Sequence, residues 1–167
     1  MTRPYSSKLC CIALSIAHYN KRAYVRGVDV SQKALEIAER NRDVLKLSER
    51  VDFEQADILN STIFGRYDVI VSNPPYIETE VVKTLDRNVR DFEPHLALDG
   101  GADGLDFYRR IVAISPAALN EGGMLAFEVG HTQAQAVATL MEQDFCDIQI
   151  KEDLCGVARV VSGIKKS

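Results

Sequence analysis

The chain has no CxxC pair, no cluster of histidines and no long apolar run. Cys10, Cys11, Cys146 and Cys155 are scattered, and His18, His95 and His131 lie far apart in sequence. Neither a zinc site nor a disulfide framework is indicated, so no metal is expected. The cysteines are expected to be reduced and mostly packed, and the histidines to be surface or hydrogen-bonded residues. No stretch reaches the length of a bilayer span, and the opening residues lack the charged, apolar and small-residue succession of a signal peptide. A soluble cytoplasmic protein, with no membrane partner, is the expectation. Positive charge is also lacking, since 20 Lys and Arg against 24 Asp and Glu give −4. Without a global positive field nucleic acid is disfavoured as the substrate, although a local basic patch could suffice. No repeat, low-complexity tract or linker divides the 167 residues, which are expected to form one domain over 1–167.

What is present is an alternation of helical and strand patterns. Residues 10–18 are apolar enough for a buried helix, and 23–29 read as a strand. Ser31 is placed to cap a helix whose inner face holds Ala34, Ile37, Ala38, Asn41 and Leu45. A short strand over 50–54 precedes Ala56 and Asp57, and a buried parallel strand runs to Asn73. A helix starting at Asp106 should bend or restart near Pro116 and end at Gly122-Gly123. A strand over 124–129 and an amphipathic helix with Ala134, Val137, Ala138 and Met141 inward come next. Residues 147–150 and 157–161 look like a terminal antiparallel pair. The pattern predicts an α/β fold, a doubly wound and mostly parallel sheet closed by an antiparallel hairpin.

The most informative residues are Asn73-Pro74-Pro75-Tyr76, at the end of a predicted parallel strand, where open α/β sheets form their ligand crevice. Two prolines fix their own φ angles, remove two backbone donors and leave a stiff loop rich in carbonyl acceptors. The Asn73 side-chain oxygen adds another acceptor. Such a cluster suits a planar NH2 group, whose hydrogens are held by carbonyls while the nitrogen faces an electrophile. Tyr76 could stack on the flat face of the amide or base. A proline-stiffened turn with a capping Asn is the structural alternative. The order of strand, Asn, two prolines and aromatic favours the binding role. Residues 77–106 then form a long polar excursion, expected to cover the crevice or to be a structural irregularity.

Asp29 and Asp57 stand at the ends of the two preceding strands. An acid at the first position can accept hydrogen bonds from both hydroxyls of a nucleotide ribose, or simply cap the next helix. Asp57 could accept from an adenine amino group, with Ile58 against the ring. Three strand ends carrying Asp29, Asp57 and Asn73 along one rim would make an adenosine-to-acceptor groove.

Taken together, Val28-Asp29-Val30-Ser31, Asp57, Val71 through Ile77, Phe92-Glu93-Pro94, Ala97-Leu98-Asp99-Gly100-Gly101 and Glu128-Val129-Gly130 resemble the HemK-like protein-(glutamine-N5) methyltransferases. These enzymes modify the glutamine of the Gly-Gly-Gln motif in peptide-chain release factors. The similarity runs over about residues 11–164. The resemblance implies a Rossmann-like fold, S-adenosylmethionine as methyl donor and a release factor as protein partner. It places Asp29 on the ribose, Asp57 and Ile58 around the adenine, and Asn73 beside both cofactor and acceptor. Asn73, Pro74, Pro75 and Tyr76 would bind the substrate amide, with Asn73, Pro74 and Tyr76 acting in catalysis.

Two departures qualify the likeness. The family has a glycine-rich loop entering the helix near Cys11, after a central strand ending in an acid; here the stretch reads Ser6-Ser7-Lys8-Leu9-Cys10, with no room for that strand. The first central strand is expected to be missing or replaced. The strands ending at Asp29 and Asn73 would then pair directly, or the gap would be filled by the opening residues or a second chain. Exposed edges there would favour self-association. The family's helical N-terminal domain also has no counterpart here, so the chain reads as a catalytic domain shortened at its front. A DNA or RNA amino-methyltransferase shares the tetrapeptide, and a non-catalytic remnant would keep the fold without the cofactor loop.

Overall fold

The computed structural model describes residues 8–62, 65–84 and 98–167. They belong to two compact units, Met1–Ser61 and Thr62–Ser167.

In the first unit the order is α1 (Lys8–Tyr19), β1 (Val25–Asp29), α2 (Gln32–Val44) and β2 (Val51–Gln55). The two strands are parallel, in register from Val25 opposite Val51 to Asp29 opposite Gln55. Parallel neighbours need a crossover, which α2 supplies. Ser31 caps that helix as expected, its Oγ accepting from the Ala34 N–H at 3.3 Å. The inner face is shifted from the one read in sequence: Leu35 and Ala38 are buried, whereas Asn41 and Leu45 are exposed. The reason lies in the helix end. The Leu47 N–H donates to the Arg42 carbonyl and the Lys46 N–H to Asp43, which turns the chain and buries Leu47 where Leu45 was expected. Leu14, Ala17, Leu47 and Val51 form the local core, with Val25 and Phe53 against it. Arg50 closes the other end of the layer. Its Nη1 donates to the carbonyls of Ala17 at 2.9 Å and of Asn20 and Ala23 at 3.2 Å, satisfying acceptors where α1 stops.

The second unit contains β3 (Tyr67–Ser72), α3 (Thr79–Val82), α4 (Asp106–Ala118), β4 (Leu119–Glu128), α5 (Ala134–Met141), β5 (Phe145–Glu152) and β6 (Ala158–Lys165). The sheet order is β3-β4-β6-β5, with β3 parallel to β4 and the remaining pairs antiparallel. The terminal hairpin is thus present, longer than the sequence pattern indicated. Ala134, Val137, Ala138 and Met141 are all buried, as their spacing requires. Tyr108 and Phe127 meet edge to face, with centroids 5.2 Å apart, in a core shared with Leu125, Met141, Phe145 and Val161.

Several expectations are corrected. β3 is parallel but not buried; Val69 is 47% exposed, because among the described residues the strand has β4 as its only ladder partner. α4 is continuous through Pro116 and ends at Ala118, not at the glycines. Proline removes the donor for Val112 so close to the C-terminus that only two residues follow it, and Leu119 is already extended. Gly122 and Gly123 lie instead within β4, where the register jumps from Tyr67 opposite Leu119 to Val69 opposite Met124. Within the first unit the described strands make the sheet β1-β2, and within the second the sheet β3-β4-β6-β5. Cys11, Cys146 and Cys155 are free and exposed rather than packed.

Arg50→Ala should destabilise the chain by about 1–3 kcal/mol, since three carbonyls lose a charged donor. Urea denaturation followed by circular dichroism measures this, and an unchanged midpoint would show that the cap contributes nothing.

Candidate functional site

In the first unit Asp29 ends β1, and Asp57 follows β2 two residues past its end. The Ala56 N–H donates to the Asp29 carbonyl at 3.2 Å, continuing the parallel ladder one rung beyond Asp29 opposite Gln55. Asp29 is half-buried, and its Oδ1 accepts from the Ser31 N–H at 2.9 Å. One oxygen thus organises the turn into α2, whose cap is Ser31, and Oδ2 accepts no hydrogen bond among the described residues. Asp57 is more heavily engaged. Its Oδ1 accepts from the Leu59 N–H at 3.0 Å and its Oδ2 from Asn60 Nδ2 at 2.7 Å. Each carboxylate oxygen still has a second acceptor direction. Ile58 beside it is half-buried.

In the second unit Asn73 to Tyr76 follow β3 directly, as the sequence required. Pro74 is buried, and Asn73, Pro75 and Tyr76 are half-buried. The Asn73 side chain forms no hydrogen bond among the described residues. The carbonyls are less uniformly available than the composition indicated. That of Tyr76 accepts from Gln133 Nε2 at 2.9 Å, and that of Ile77 from the Gly100 N–H at 2.8 Å. The Asn73 amide oxygen and the Pro74 carbonyl are left as the acceptors of this loop best suited to an external N–H.

The loop is held by the far end of the long excursion. The Ile77 N–H donates to the Leu98 carbonyl at 3.0 Å, and Ile77 and Asp99 form a parallel bridge. Asp99 Oδ1 accepts from Thr79 Oγ1 at 2.7 Å and from the Gly101 N–H at 3.0 Å. A Cβ on Gly100 would lie 2.8 Å from both the Pro75 carbonyl oxygen and Tyr76 Cα. One on Gly104, at φ +72°, would lie 2.4 Å from the Tyr76 carbonyl oxygen. Glycine is required at both places by backbone packed on backbone. At least over 98–104 the excursion therefore supports the tetrapeptide. Phe92-Glu93-Pro94, His95 and Ala97, and the covering role proposed for that stretch, lie outside the described residues. So do Ser6 and Ser7, whereas the backbone of 8–10 forms the first turn of α1.

Behind Tyr76 stands a residue that motif reading missed. Tyr108 is fully buried and its hydroxyl donates to the Glu128 carbonyl at 3.0 Å. Burial, then the charges of Tyr76 and Glu128, push its phenol well above the ordinary value. Only its place on the inner face of α4 could have signalled it.

Residues 9–102 match the family model described as Methyltransferase small domain. The chain belongs to that family. Against curated proteins it is 40% identical over 157 residues to the release factor glutamine methyltransferase of Clostridium acetobutylicum, covering 92% of this chain and 55% of the relative. It is 42% identical over 154 residues to the one from Geobacter sulfurreducens, covering 92% and 54%. The chain thus spans about half the length of the curated relatives it matches. The HemK-like resemblance drawn from the motifs is upheld. Among solved structures, a methyltransferase from Pyrococcus furiosus superposes with a TM-score of 0.68 at 18% identity, covering 93% of this chain and 69% of that one. The likeness is one of fold, and it gives the Rossmann-like methyltransferase architecture expected.

Tyr108 gives a pH test. Its folded-state pKa is raised, so its contribution to stability is complete below the unfolded value of about 10 and is lost as pH rises above it. The urea midpoint of the parent chain should fall on going from pH 9 to 11, and fall less in Tyr108→Phe. Equal falls would remove the account of this phenol.

Proposed function

We propose that this chain is the catalytic portion of an S-adenosylmethionine-dependent protein-(glutamine-N5) methyltransferase, acting on the Gly-Gly-Gln glutamine of peptide-chain release factors. The observation that carries the reading is the Asn73–Tyr76 loop at a parallel strand end, whose Asn73 side chain and Pro74 carbonyl accept no hydrogen bond among the described residues. The identity to release factor glutamine methyltransferases across 92% of the chain supports the acceptor class. We read the two units as one catalytic domain, because the resemblance runs through both.

The first unit fits the donor. Asp29 has an unused carboxylate oxygen at the C-terminal end of a parallel strand, suited to a ribose diol. Asp57 and Ile58 would face the adenine, and the bound cofactor supplies an electrophilic methyl group on a sulfonium. Asn73 would also border the donor, and the remaining work falls to the acceptor loop. An amide nitrogen is a poor nucleophile because its lone pair is delocalised into the carbonyl. The Asn73 oxygen and Pro74 carbonyl would accept from its two N–H groups, align the nitrogen and favour the positive charge that grows on it. Tyr76 would pack on the amide plane, and Pro75 would keep the loop from relaxing. With the donor bound, the amide nitrogen so held would take the methyl group, the donor leaving as its neutral thioether, and the nitrogen's proton would pass to water.

The test is to incubate the chain with S-adenosylmethionine and a release factor and map methylation by peptide mass spectrometry. One methyl group on the Gly-Gly-Gln glutamine is expected, and none when that residue is replaced by glutamate. Asn73→Ala should lower turnover on the order of 100-fold while leaving the circular dichroism spectrum unchanged. Unaltered turnover in that variant removes the catalytic assignment, and a fold-competent chain without any transfer would favour the remnant reading.

A further inference from the structure

Gln133 belongs to no motif used so far, yet its side chain joins three separated parts of the second unit. Nε2 donates to the Tyr76 carbonyl at 2.9 Å and to the Gly104 carbonyl at 3.2 Å. Oε1 accepts from the Gly130 N–H at 3.2 Å, while the Gln133 backbone N–H donates to the Gly130 carbonyl at 3.0 Å. The orientation of the amide is determined by this set, since reversing it would set an oxygen against two carbonyls and an NH2 against an N–H. The fit is tight. A Cβ on Gly104 would lie 2.6 Å from Nε2, and one on Gly130 would lie 2.7 Å from Oε1 and 3.2 Å from Tyr76 Cδ2. The Tyr76 ring therefore rests beside Gly130 while its carbonyl is held by the amide.

No other side chain meets this demand from one rigid plane. Glutamate keeps the length but loses both donors and sets a charge against two carbonyls. Asparagine is one methylene short, and methionine keeps the bulk without polar atoms.

We propose that Gln133 is a positioning residue for methyl transfer, fixing Tyr76 and through it the Pro74 carbonyl without touching the substrate. The kinetic part rests on the function proposed above. Because Gln133 holds the acceptor loop and not the donor residues, its loss should act on kcat and spare the KM for S-adenosylmethionine. Displacing a loop by about 1 Å is enough to cost on the order of 100-fold in rate.

The experiment compares the full chain with Gln133→Glu, and with Gln133→Met should the charged variant fail to fold. Two readouts are taken: steady-state methylation of a release factor, and amide hydrogen exchange. The expected result is a 10- to 100-fold fall in kcat with donor KM unchanged. Faster exchange should be confined to the Ile77, Gly100 and Gly104 amides, with the β5–β6 ladder still protected. Parent-like kcat and exchange in a folded variant overturn the proposal. So does faster exchange throughout the unit together with changes in both constants, which would make Gln133 merely structural. Should the parent chain transfer no methyl group while exchange still loosens only at those amides, the functional reading fails and the clamp stands.

Discussion

A loop that binds an external amide must keep some polar atoms unsatisfied, although buried backbone groups are strongly driven to pair. The Asn73–Tyr76 loop meets this constraint by division. The carbonyls of Tyr76 and of Ile77 just beyond it are tied down, to Gln133 and to Gly100, while the Asn73 side chain and the Pro74 and Pro75 carbonyls accept no hydrogen bond among the described residues. Prolines prevent the loop from folding back to satisfy itself. Glycines at 100 and 104 let two other backbone segments approach closely enough to hold it. The rest of the second unit serves this arrangement. β4 carries Glu128 to Gly130 to the loop, and α4 buries Tyr108 against Glu128.

The first unit uses the opposite economy. Asp29 and Asp57 are employed in their own turns, so the carboxylates are oriented before any ligand arrives. A group already fixed by local hydrogen bonds loses little freedom on binding, which favours affinity without new contacts. Asp29 leaves one oxygen without a hydrogen bond among the described residues, whereas both Asp57 oxygens are already in use.

Much of this was legible in the sequence because it rests on local rules. Ser31 as a cap, the strand ends at Asp29 and Ser72, and the inner face of the last helix all follow from spacing and residue type. Other features depend on partners distant in the chain. Leu47 is buried in place of Leu45 because the turn after α2 redirects the chain. The glycines at 122 and 123 read as a helix stop, but they accommodate a register jump in β4 that only its pairing with β3 defines. Val69 looks buried by composition, and its exposure reflects a ladder on one side alone among the described residues. Gln133 carries no signature of its own; its role is the sum of three backbone contacts from residues 76, 104 and 130.

The claim on which the account turns is that this chain, with Ser6 to Cys10 where the family has glycines, still receives its methyl donor through Asp29. Titration calorimetry with S-adenosylhomocysteine tests it most directly. The account predicts saturable binding near micromolar, about −8 kcal/mol, which weakens when Asp29 is replaced by Ala. Absence of binding by the folded parent chain, or equal binding by the variant, would contradict it.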